Sequence, residues 1–260
     1  MGLGATAFAG YHFLCGCIFL FAPQMPTADT MGDKTPVGSD AHAVSLIYAQ
    51  VVGAFMMCVC VTQCPGPRGL IMAILCIMAV MAKHTFVDGL ALPMPPKVMA
   101  CVALACSLFA GQTSMGQHTS KAGIYFYVFW MCVVAFMAGT DPVTMLTDTY
   151  PKRWGVKDSG DSLEVGLIWC EVIALVALMN ALAQCPGALG RSMAMCANCA
   201  LMAYHLNKGI TPPPVIMIGA SVTTLLQLKE LLLDGEEVRQ SHHPPLPGEG
   251  KPPRAKWQCM

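Results

Sequence analysis

"LIYAQVVGAFMMCVCVTQCPG" (Leu46 to Gly66) and "LIWCEVIALVALMNALAQCPG" (Leu167 to Gly187) stand 121 residues apart in a chain of 260 and follow one pattern. Each opens on Leu-Ile and an aromatic residue, continues through an apolar run, and closes on Gln-Cys-Pro-Gly. An apolar run of about 20 residues is the length that crosses the hydrocarbon core of a bilayer as a helix. Proline cannot continue that helix, and glycine takes the left-handed conformation that turns the chain back. Each stretch therefore predicts a membrane helix ending in a tight turn. Its recurrence predicts a duplicated unit.

Composition extends that reading to the whole chain. Only 12% of residues are charged against 55% hydrophobic, and the mean hydropathy is +0.56. A soluble domain carries about 25% charged residues. The charges are also bunched: none falls between Met1 and Ala28, between Asp40 and Arg68, or between Lys97 and Lys121. The first apolar segment lacks a basic flank and is one of a series, so it reads as a membrane helix rather than a signal peptide. The 15 Lys plus Arg balance 15 Asp plus Glu, and without a basic stripe or a nucleic-acid motif, no nucleic-acid partner is expected. Most of the 14 cysteines lie inside apolar runs, where cysteine behaves as a small apolar residue.

Uncharged runs and helix breakers mark out an all-α integral membrane fold of eight transmembrane helices, arranged as two tandem four-helix repeats of the same topology. The expected spans are Thr6–Phe21, Ala43–Thr62, Gly69–Lys83, the segment from Pro96 to Ala110, Gly123–Ala138, a span from Ser162 to the second QCPG turn, Gly190–Leu206, and a span from Pro214 to Leu233. The third and seventh are expected to be short, with about 14 to 16 apolar residues. The repeats take residues 1–115 and 116–233, and residues 234–260 form a Pro-rich tail expected to be extended. At the common offset Asp40 pairs with Asp161, Tyr48 with Trp169, Gln50 with Glu171, and His84 with His205. An even number of spans per unit gives both copies the same direction across the membrane. Lys plus Arg number eight on the face expected to hold both termini and seven on the other. Such a balance sets no orientation.

Polar residues within spans are the usual markers of function in membrane proteins. Gln50 and Glu171 form either a paired proton or cation site, or hydrogen bonds to a neighbouring helix. His84 and His205 stand where helices end, as C-terminal caps or as axial ligands to a chlorophyll magnesium or a haem iron. His12 lies within the first span and His118 between the repeats, and both are candidates of the same kind. Together His12, His84, His118, His205, Gln50 and Glu171 make the candidate cofactor-binding set, with chlorophyll, carotenoid and lipid as the groups to be held. Asn180 and Asn198 read as interhelical hydrogen bonds. Cys196-Ala-Asn-Cys199 has no second CxxC to complete a metal set, and Ser192, Cys196 and Ala200 read as a small-residue packing face, as do Ala103, Ser107 and Gly111. No catalytic constellation is present: no nucleophile elbow, phosphate loop or HExxH motif occurs.

Each half resembles the small four-helix DoxX-like membrane proteins. The likeness lies in helix order, in the prolines after the first helix of each half (Pro23, Pro142) and in the tight turn between the second and third. The resemblance implies a membrane subunit, paired in some members with a quinone-linked oxidoreductase, and the duplication departs from it. Richness in Met, Cys and Ala is similar to lineage-specific accessory subunits of algal photosystems and alveolate respiratory complexes. The expectation is a non-catalytic subunit of a large bioenergetic membrane complex, in the plastid thylakoid before the mitochondrial inner membrane, contacting other subunits through its loops and tail. Two other readings make distinct demands. A small-solute transporter needs Gln50, Glu171, Asn180 and Asn198 around one cavity. A quinone-linked redox subunit needs an apolar pocket near His84 or His205.

Overall fold

The computed structural model describes residues 2–31, 34–64, 67–89, 98, 101–102, 104–105, 121–149, 161–185 and 187–242. The helices are α1 (Leu3–Phe21), α2 (Gln24–Met31), α3 (Asp40–Val61), α4 (Pro67–Phe86), α5 (Lys121–Thr140), α6 (Pro142–Thr149), α7 (Asp161–Leu182), α8 (Gly187–Asn207) and α9 (Pro214–His242). No strand occurs among the described residues. Six helices, α1, α3, α4, α5, α7 and α9, are long and apolar enough to cross a membrane. The chain is an integral membrane protein. Its exterior agrees: Val215, Ile218, Val222, Leu225 and Leu232 recur along α9 at helical spacing and are all more than half exposed. A water-soluble bundle would carry polar residues on such a face.

The most buried helices, α3 and α7, form the centre and pack on each other. They run parallel, because the Trp169 indole donates to Ser45 Oγ at 2.8 Å near one end and the Asn180 amide donates to the Phe55 carbonyl at 3.0 Å further along. Helix α1 flanks α3, and α5 flanks α7. Both flanking helices are antiparallel to the ones they cover: Gly16 lies against Met57 and Leu20 against Gly53, while Tyr127 meets Asn180 and Gly139 meets Ala174. Helix α9 closes over α8 and α1.

Local chemistry explains the turns. The Ser39 hydroxyl caps α3 by accepting from the His42 N–H at 3.1 Å, with Asp40 in the first turn, a favourable charge at a helix N-terminus. After each QCPG turn the next helix folds straight back. A Cβ on Gly69 would fall closer than 3.0 Å to the Val61 and Cys64 carbonyls, and one on Gly190 would do the same to the Leu182 carbonyl. Only glycine lets the two backbones approach so closely.

The structure corrects several expectations. Helices α4 and α8 have 20 and 21 residues and are not short, because α4 recruits Pro67 at its first position, where the missing N–H costs nothing, and both extend past their histidines. Pro23 and Pro142 do not simply end a helix. Each is followed by a short one, α2 or α6, and Pro142 again takes the first helical position. Helix α9 continues beyond Asp234 to His242, through a stretch rich in helix-forming Glu, Arg and Gln before the next proline. Cys196 and Ala200 are exposed, so the small-residue face expected on α8 is not its packing face. Its packing side carries Ser192, Met195, Asn198 and His205. The Ala103–Ser107–Gly111 face, His118, and most of the expected fourth span lie outside the described residues.

Candidate functional site: paired histidines on the central helices

Gln50 and Glu171 stand at the same height on α3 and α7, about three turns in from the first residue of each helix. Each receives a histidine from the adjacent antiparallel helix. His84, buried at 2% exposure, places Nε2 at 3.3 Å from Gln50 Oε1, an acceptor, so Nε2 carries the proton and donates. His205, buried at 4%, donates from Nε2 to Glu171 Oε2 at 3.0 Å. Each Cβ tilts toward the N-terminus of its own helix, so on antiparallel neighbours the two side chains lean in opposite directions and meet from different depths.

A lysine completes each site at the membrane edge. Lys83 Nζ donates to Gln50 Oε1 at 3.0 Å and to Asp88 Oδ2 at 2.7 Å, and Asp88 lies 4.0 Å from His84 Nε2. Lys208 Nζ donates to Glu171 Oε1 at 3.2 Å and sits 4.3 Å from the centre of the Tyr204 ring. Its hydrogen bonds to Tyr204 and Glu171 hold the Lys208 ammonium above its usual pKa. Both halves thus assemble one lysine, one acid and one buried histidine. In the first half the acid comes from the loop after α4, and in the second from α7 itself.

The remaining candidates fall elsewhere. His12 is fully buried on α1, and its Nδ1–H donates to the Phe8 carbonyl at 2.7 Å. Its Nε2 lone pair has no partner among the described residues. The rings of Phe8 and Tyr11 stand 4.3 and 5.1 Å from the imidazole centre. Asn180 is fully used: it accepts from the Tyr127 hydroxyl at 2.7 Å and donates to the Phe55 and Val176 carbonyls. Asn198 donates to the Tyr11 hydroxyl at 3.1 Å. Cys199 meets the Thr224 hydroxyl at 3.2 Å, while Cys196 is exposed. No group of three or more metal-ligating side chains occurs among the described residues.

Two features escaped the sequence. A clasp joins three helices: Arg191 on α8 donates to Gln227 at 3.0 Å and to Glu230 at 3.1 Å, and Glu230 also accepts the Gly4 N–H at 2.9 Å. The available signal was Arg191, the one Arg of α8, and Glu230, the first acidic residue of α9. The second is a cavity of about 70 Å³ lined by α1, α3, α7, α8 and the start of α9. Tyr11, Trp169, Asn198, His205 and Ile216 are among its walls. Of the four polar residues a transport pathway would bring together, only Asn198 borders it. No family model, curated protein or solved structure matches the chain.

Proposed function

We propose that the chain is a non-catalytic structural subunit of a larger membrane assembly, built by tandem duplication of a four-helix unit that crosses the bilayer four times per copy. The observation that carries the subunit reading is where the polar side chains go. Ser45, Trp169, Asn180, Asn198, His84 and His205 all bond from one helix to another within the bundle, so they fix a rigid shape whose outer faces are apolar.

Equivalent contacts support the duplication. Gly53 receives Leu20 where Ala174 receives Gly139, the large and small partners having changed places. The Ser45 hydroxyl bonds Thr27 where Gly166 packs on Leu146. Gly69 and Gly190 meet the same carbonyls of the preceding helix. Helix direction supports eight crossings. Helix α4 is antiparallel to α3, α5 is antiparallel to α7, and α3 is parallel to α7. Phe86 and Lys121 therefore lie on opposite faces, the arrangement that a crossing between α4 and α5 requires. By the same reasoning α8 crosses, although its Arg191 and Asn198 make it more polar than the six apolar spans.

The bioenergetic host, a photosystem before a respiratory complex, rests on composition. An absorption spectrum of the gently solubilised native particle decides it. Co-migration with a chlorophyll-bearing particle supports the thylakoid assignment, and co-migration with a haem-bearing one the mitochondrial. A colourless, free-standing monomer overturns the subunit reading.

A further inference from the structure

We propose that the cavity beside His205 is a binding site for one acyl chain of a membrane lipid. Its walls come from five helices, and its volume is about 70 Å³. A cavity of roughly 150 Å³ takes a benzene ring, so this one is too small for a quinone head or a macrocycle and holds only the last few carbons of a chain whose remainder lies along its open mouth. Water gains little there. The polar groups at its edge are already paired, Asn198 with Tyr11, His205 with Glu171 and Trp169 with Ser45, and a buried water needs two to four partners. An alkyl chain is narrow and asks for no hydrogen bond.

The lining also says from where such a chain enters. Tyr11, Trp169, Asn198 and His205 are buried, whereas Val172, Leu175, Leu201 and Met202 are only half-buried. These four are apolar residues of α7 and α8, so the mouth is hydrocarbon facing the bilayer. Tyr204 and Lys208, stacked at 4.3 Å, lie one residue before and three after His205. An aromatic ring and a lysine of this kind mark the headgroup level, which sets the lipid's leaflet.

The second half differs from the first where this site lies. Asn198 stands where the first half has Ile77, and Glu171 where it has Gln50. Two copies that began alike have diverged in polarity around the cavity, and the site belongs to the second.

Tryptophan quenching by brominated lipid tests the proposal. The chain has four tryptophans. A variant carrying Trp130→Phe, Trp154→Phe and Trp257→Phe reports from Trp169 alone, and one keeping only Trp130, which is buried away from the cavity, sets the baseline. In bilayers of bromine-labelled phosphatidylcholine, a chain seated in the cavity keeps bromine against the Trp169 indole and lowers its emission about twofold relative to Trp130. Adding Leu201→Phe or Val172→Phe, which fill the mouth from α8 and from α7, should remove that difference. Quenching of Trp169 no greater than of Trp130, or quenching that neither filling variant relieves, overturns the proposal. The unaltered protein gives a second decision, using a phosphatidylcholine with a photoreactive chain end. Adducts on the α7 and α8 cavity residues support the site, and adducts confined to the outer faces of α5 and α9 overturn it.

Discussion

The imidazole of His205 donates to the carboxylate of Glu171 across 3.0 Å, joining α8 to α7. Replacing the acid separates its two roles. Glu171→Gln keeps an acceptor for His205 and copies the first half, where Gln50 faces His84. It should cost no more than about 1 kcal/mol, the value of an exposed ion pair to Lys208. Glu171→Leu leaves the buried His205 N–H unmet and should cost about 1 to 3 kcal/mol. Thermal unfolding of the solubilised protein checks both, and equal losses would mean that the charge, not the hydrogen bond, holds the helices.

The Arg191–Glu230 pair can be exchanged for what the first half carries. At the common offset these positions are Leu70 and Phe109. The two side chains are only 16% and 20% exposed, so Arg191→Leu alone strands a largely buried carboxylate. The penalty should approach the roughly 3 to 5 kcal/mol typical of breaking a buried pair. The double replacement Arg191→Leu with Glu230→Phe should recover most of it, less the lost Glu230 contact to the Gly4 N–H. Denaturation of the two single variants and the double one provides the comparison. A double variant no better than Arg191→Leu would count against the alignment of the halves.

Asn180 and Tyr127 are coupled in the centre of the bundle. Asn180→Leu and Tyr127→Phe should each destabilise, and together by less than their sum. The coupling expected is about 0.6 to 1.7 kcal/mol, the range for side-chain hydrogen bonds between membrane helices. A double-mutant cycle measures it, and additive losses would show that the 2.7 Å contact contributes nothing of its own.

What was legible in the sequence follows physical range. The six apolar spans and the turns were readable because apolar length, proline and glycine act locally. The pairing of Gln50 with His84 and of Glu171 with His205 was half readable: the residues were found by their shared offset, but not their contacts. The second span was expected to start at its first apolar run, at Ala43, whereas Ser39 and Asp40 start α3 earlier. The clasp on Glu230 and the cavity beside His205 were out of reach. Both depend on which faces of α8 and α9 meet α1, and that is set by packing between residues about 190 to 225 positions apart, as in Tyr11 with Asn198 and Gly4 with Glu230.

The glycines behind the two tight turns should respond alike. Gly69→Ala and Gly190→Ala each push a methyl group into backbone carbonyls, which cannot move aside as a flexible side chain can. Each should cost about 1 to 3 kcal/mol or more. Gly10 on α1 has open space around its Cβ position, so Gly10→Ala should be neutral, or stabilise by about 0.5 to 1 kcal/mol through helix propensity. Melting temperatures of the three variants are the test, and tolerance at Gly190 would show that the α7–α8 turn is wider than described.

The proposed eight-crossing topology makes a prediction about two cysteines. Cys64 and Cys185 are both exposed, one in each QCPG turn, at the ends of α3 and α7. Because those helices are parallel, both thiols should lie on one side of the membrane. If only the six most apolar helices crossed, neither the residues after α4 nor α8 would return the chain, and the second turn would emerge opposite the first. Sealed vesicles treated with a membrane-impermeant maleimide, then mapped by peptide mass spectrometry, distinguish these arrangements. The exposed Cys132 and Cys196 lie along α5 and α8, where the proposed topology puts hydrocarbon, out of reach of a water-borne reagent, so they serve as internal controls. Labelling of Cys64 and Cys185 together, from the outside or only after permeabilisation, is the expected result. Labelling of one without the other would reverse the direction of α7 relative to α3 and remove the basis for the tandem repeat.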